Sequence, residues 1–164
     1  MEKEFVSFEI SKEIKELGFN EKCFGYYDKK GELIILSNKF AGELVGHGGV
    51  KNELFTWLKE NDRTSGELYT LSRSVTAPLH QQLIDWFKTE YNIWVNIDTT
   101  LIHFYVSEVL QPPKFQFIIE DLVDRDGDYL FHSADEELFY FDYKEAREQA
   151  ILKTIKIIKK IKSK

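Results

Sequence analysis

Stretches with helical apolar spacing, separated by short runs of aromatic and β-branched residues, leave this chain few folds to adopt. Leu79, Leu83, Trp86, Phe87 and Tyr91 recur at intervals that fall on one side of an α-helix. Ala146, Ala150, Ile151, Ile155, Ile158 and Ile161 do the same further on, and Ile10, Ile14 and Leu17 form a shorter stripe near the start. Between them, Ile93–Ile97, Leu101–Val109 and Phe115–Ile119 are rich in the residue types that fit a pleated, half-buried surface. A helix with one apolar face needs a second layer to cover it. The predicted fold is therefore α+β: an antiparallel sheet of hairpins with about three helices packed on one face, in a single globular domain over residues 1–164.

Local signals set the predicted boundaries. Ser7 precedes the first stripe as an N-cap, and Gly18 followed by Phe19 ends it as a C-terminal glycine with its hydrophobic partner. Cys23–Asp28 pairs with Leu33–Leu36 across Lys29-Lys30-Gly31-Glu32 as a hairpin. Glycine-rich residues 37–52 read as a loop. In Leu54–Leu58 the spacing of Val50, Leu54 and Leu58 also suits a helix, but the aromatic and β-branched content predicts a strand, turning into Leu68–Leu71. Thr76 and Pro78 open a helix over 77–91. Pro112-Pro113 separates two strands, and Tyr129–His132 and Leu138–Phe141 follow the acidic turn Asp124–Asp128. Asp142 with Glu145 three residues later is a capping-box pattern opening a last helix over 143–161.

Composition excludes several classes. With 43% apolar and 15% aromatic residues the chain has too much core-forming material to be disordered. A single cysteine, Cys23, rules out an internal disulfide. The opening Met1-Glu2-Lys3-Glu4-Phe5 is unlike a signal peptide, and the apolar runs fall far short of the roughly 20 residues of a membrane helix. A cytoplasmic protein without a membrane partner is expected. The net charge is −6, yet residues 151–164 hold six lysines and no acids, so the first 150 residues carry −12. Such a body repels a phosphate backbone, and nucleic acid is not an expected partner.

Three segments taken in order are similar to one family. They are Leu17-Gly18-Phe19 running into Cys23-Phe24-Gly25-Tyr26-Tyr27-Asp28, then Ala77-Pro78-Leu79-His80-Gln81-Gln82 running into Asp85-Trp86-Phe87, then Tyr143-Lys144-Glu145-Ala146. This order resembles a family of small uncharacterised proteins carried by gut-bacterial genomes, mobile elements and phages. Residues 37–75 have no counterpart in the resemblance. It implies a phage or prophage accessory role and brings no reaction and no catalytic residues.

The candidate ligand site read from the residues is Phe24, Tyr26 and Tyr27 with His80, Gln81 and Gln82, on a strand and a helix that would pack together. Aromatic faces stack on flat ligands, and amides read their edges. The plainer reading makes the aromatics core and the glutamines a solvated helix face. Asp124-Arg125-Asp126-Gly127-Asp128 with Asp135 imitates a calcium loop, but Tyr129 stands where that loop needs glycine, so a hairpin turn is expected without a cation. Gly46-His47-Gly48-Gly49 could offer backbone N–H groups to an anion, but it lacks the ending of a phosphate loop and reads as a surface loop. His47, His80, His103 and His132 are scattered. A site of His103, His132 and Glu120 is conceivable, against the commoner role of histidines satisfied within the fold.

No nucleophile elbow or zinc motif is present in the sequence. The expected function is thus a non-catalytic accessory protein, without a cofactor, that captures a small ligand (a nucleotide-like signal among them) or a host protein. Self-association stays open. The alternative is a small metal-dependent hydrolase or nuclease using dispersed histidines and carboxylates.

Overall fold

A computed structural model of the chain describes residues 2–36, 49–55, 74–100, 114–122 and 129–163. Among these residues the fold is α+β, with two three-stranded antiparallel sheets and helices. The residues gather into two compact units, Met1–Gln82 and Leu83–Lys164. The predicted strands Leu68–Leu71 and Leu101–Val109, the acidic turn Asp124–Asp128, His47 and His103 lie outside the described residues, as does most of the glycine cluster.

In the first unit, helix α1 spans Phe8–Leu17. Ser7 caps it by accepting from the N–H of Ile10 at 3.4 Å. At its end Gly18 takes φ 103°, a conformation that a side chain disfavours. The N–H of Phe19 bonds Ile14 O at 3.0 Å and that of Gly18 bonds Lys15 O at 3.1 Å, a Schellman termination as the sequence implies. Ile10, Ile14, Leu17 and Phe19 are buried.

Strands β1 (Gly25–Tyr27) and β2 (Leu33–Ile35) form the expected hairpin, with Tyr26 opposite Ile34. Asp28 closes it: its Oδ1 accepts from the N–H groups of Lys30 at 2.8 Å and Glu32 at 2.9 Å. The other edge of β1 takes β3 (Val75–Thr76), so the order is β2-β1-β3. Just before β1, Cys23 and Val50 exchange both backbone bonds, at 2.8 and 2.9 Å. Gly49 makes that approach feasible, because a Cβ there would sit 2.5 Å from Cys23 O. Phe5, Tyr27, Val75 and Ala77 are the center of this unit's apolar cluster, joined by Phe8, Leu33, Ile35 and Leu79.

Two boundaries differ from the sequence reading. The second helix, α2, spans His80–Tyr91, and Thr76 and Pro78 do not open it. Thr76 is claimed instead by pairing with Tyr26 and by its N–H bond to Asn52 Oδ1 at 3.1 Å. Ala77 then donates to Gly25 O, and Pro78 O accepts from Val6, which holds the chain extended up to Leu79. Residues 52–55 are helical, so Leu54 and Phe55 do not begin a strand. Asn20 Oδ1 accepts the N–H of Glu53 at 2.8 Å and satisfies a free donor at the start of that turn.

The boundary between the units falls within α2, whose Leu83, Trp86 and Phe87 are buried. In the second unit Asn92 turns the chain with φ 55°, a conformation asparagine tolerates, and its carbonyl accepts from Leu122 at 2.8 Å. Strands β4 (Ile93–Thr100), β5 (Lys114–Asp121) and β6 (Tyr129–His132) follow in the order β4-β5-β6. β4 and β5 pair along eight residues from Ile93↔Asp121 to Thr100↔Lys114. Helix α3 (Tyr143–Lys162) packs against β4 and β5 and buries Ala146, Ala150, Ile151, Ile155 and Ile158. The buried stripe stops there: Ile161, read from the sequence as inward, is 54% exposed among the terminal lysines. Asp142 caps α3 as expected, accepting from the N–H of Lys144 at 2.7 Å. Leu138–Phe141, read as a strand, contributes only a bridge from Tyr140 to Phe115 after a 3-10 turn at Ser133–Glu136.

Candidate functional site

The residues singled out in the first unit are mostly tied into its own construction. Successive side chains of a strand point to opposite faces, so Tyr26 and Tyr27 cannot line one pocket together. Tyr27 faces the core, 5.6 Å from the Phe8 ring, and its hydroxyl donates to Val6 O at 2.6 Å. Tyr26 meets Phe55 on the other side at 5.7 Å. Burial, and then the carboxylate of Asp28, push the Tyr26 phenol above its ordinary range. Phe24 is exposed.

On α2, His80 is buried with Nδ1 2.7 Å from Glu4 O. A carbonyl only accepts, so Nδ1 carries the proton in that contact. Gln81 is exposed, while Gln82 reaches the start of β1, donating to Lys22 O at 2.9 Å and to the Glu21 carboxylate at 3.4 Å. Its Oε1 lies 3.7 Å from the Cys23 sulfur. Burial pushes the Cys23 thiol up to about 12, against the opposing influence of nearby Thr76 and Gln82. A thiol so raised is not a nucleophile at neutral pH. The structure therefore gives Tyr27, His80 and Gln82 backbone groups to satisfy and leaves Gln81 exposed on α2.

Among the described residues, the other titratable groups do not gather into a cluster of metal-ligand type; His132 stands 3.8 Å from Asp135. Among the same residues no helix is long and apolar enough to cross a membrane.

The second unit carries a surface that the sequence reading passed over. Phe115 and Tyr140 exchange backbone bonds of 2.7 and 3.0 Å, which lays residues 139–141 alongside the start of β5. Tyr140 stacks on Phe117 at 5.9 Å, and Phe115 meets Tyr143 edge-on at 5.6 Å. Lys114 holds its ammonium 5.6 Å from the ring centres of both Phe139 and Phe141. Phe141 is 66% exposed, and Leu138 and Tyr143 are exposed beside it in sequence. Arg147 lies 5.5 Å over the Tyr143 ring. The signal was the run Leu138-Phe139-Tyr140-Phe141-Asp142-Tyr143, which holds more aromatic residues than one buried strand face takes. Its link to Lys114 needed the pairing of Tyr140 with Phe115.

No protein-family model, curated protein or solved structure matches the chain.

Proposed function

We propose that this is a non-catalytic binding protein, a phage-type accessory that captures a small, flat ligand. The observation that supports it is the exposure of Leu138, Phe141 and Tyr143 close together in the second unit. Large apolar side chains left together at a surface mark interaction sites more often than isolated ones do. The thiol of Cys23 is buried and held protonated, and the buried His80 is hydrogen-bonded to the Glu4 carbonyl, which favours binding over chemistry there. A thermal-shift screen with nucleotides and aromatic metabolites tests the reading. A ligand at a hundred times its dissociation constant adds about 2.7 kcal/mol, raising the midpoint by roughly 5–10 °C for a chain of this size. A panel without any shift would turn the search to a host protein. Loss of a nucleic-acid or ester substrate that depends on added divalent metal and stops with EDTA would overturn the reading in favour of a hydrolase.

A further inference from the structure

We propose that Lys114, Phe139 and Phe141 form a binding site for a planar ring carrying an anionic group, an inference that rests on the capture reading above. The backbone bridge between Phe115 and Tyr140 fixes which side chains meet. Phe115 and Tyr140 turn toward Tyr143 and Phe117, and alternation sends Lys114, Phe139 and Phe141 to the opposite side. There the ammonium stands equally far from two ring centres, and among the described residues it has no carboxylate partner. Lys114 and Phe139 are half-buried, so the charge is held in place while Phe141 presents its ring to water.

Each part of this arrangement selects a part of the ligand. An exposed ring offers a face for stacking, with little preference among flat π systems. An ammonium beside it supplies the counter-charge for a phosphate or a carboxylate. Gln116, two residues further along β5, lies on the side of the strand that Lys114 occupies. The Asp142 carboxylate does not compete, because it caps α3 through the N–H of Lys144. A nucleoside monophosphate and an aromatic carboxylate share this chemistry, and the experiment separates them.

The test is titration calorimetry of the full chain with adenosine monophosphate and with 4-hydroxybenzoate, followed by amide chemical-shift mapping. Adenosine and inorganic phosphate serve as the ring-only and anion-only arms. At least one of the two anionic rings is expected to bind more tightly than either arm, with shifts at Lys114, Phe139 and Phe141. Phe141→Ala and Lys114→Gln should each weaken it about tenfold, in keeping with the usual loss of a stacking partner. Lys114→Arg should retain it, and all three variants should keep the wild-type amide spectrum outside the segment, which separates lost contact from lost fold. Binding undiminished in both weakening variants would overturn this site and leave ligand capture standing. Silence of both probes and of the whole ligand panel would overturn site and capture together.

Discussion

Asn52 is a buried amide that joins two parts of the first unit. Its Nδ2 donates to Phe19 O at 2.8 Å, and its Oδ1 accepts the N–H of Thr76 at 3.1 Å. Removing it leaves a buried carbonyl and a buried N–H unsatisfied, at about 1–3 kcal/mol each. Asn52→Ala is therefore expected to cost on the order of 2–6 kcal/mol in urea unfolding, and a loss below about 0.5 kcal/mol would contradict the role given to this side chain. Cys23 makes a second residue-scale case. With its thiol pushed up to about 12 by burial, it should resist a thiol-specific disulfide reagent at neutral pH until denaturant is added. Stability contributed by keeping the thiol neutral is present below the unfolded value of about 8.5 and is lost as pH rises toward the folded one. Stoichiometric labelling of the native chain within minutes would show the sulfur to be accessible.

Among elements, the β1–β2 hairpin depends on the ionised form of Asp28. The N–H of Glu32, then those of Lys30 and Gly31 with the Lys30 charge, hold its carboxyl below the ordinary carboxylate range. A depressed folded value contributes stability above the unfolded pKa, about 3.9, and that stability is lost as pH falls through the folded one. The urea midpoint of the wild type should fall more steeply between neutral pH and about pH 2 than that of Asp28→Asn, and parallel curves would refute the assignment. Helix α3 depends on its cap in a similar local way. Asp142→Ala removes the acceptor for Lys144 N–H and should lower stability by about 1 kcal/mol, read from the thermal midpoint.

For the molecule as a whole, the charge distribution is the property most open to over-reading. The lysines of α3 resemble a basic recognition helix, yet Lys153 and Lys162 have partners within their own unit. Lys153 pairs with Glu136 at 3.2 Å and lies 3.7 Å over Phe131, and Lys162 lies 5.1 Å over Tyr91. Cations at a helix C-terminus are also favoured by its dipole, each by about 0.3–1 kcal/mol. Replacing Lys153, Lys156, Lys159 and Lys160 together with glutamine should lower stability by about 1–2 kcal/mol. Binding to DNA, RNA or anionic vesicles at physiological salt should be negligible before and after. A steeply salt-dependent affinity that disappears in the variant would show the lysines to be a recognition surface.

What the sequence determined by itself is what neighbouring residues settle between them. Ser7 and Gly18 bound α1, Asp28 and Gly31 shape the hairpin, and Asp142 starts α3, because caps and turns are satisfied within a few residues. The inward stripe of α3 was legible from its period up to Ile158, and only packing decided that Ile161 would be left outside. Tertiary structure alone decided that Val75 and Thr76 are strand, since the groups that claim them, Tyr26 and Asn52, are distant in the chain. It also gave Tyr27, His80 and Gln82 backbone groups of the N-terminal segments to satisfy, where their chemistry by itself allowed a ligand pocket. Lys114 meets Phe139 and Phe141 for the same reason. Strand register is a long-range property, written in no local pattern, and it is the register of Phe115 with Tyr140 that brings the cation to the rings.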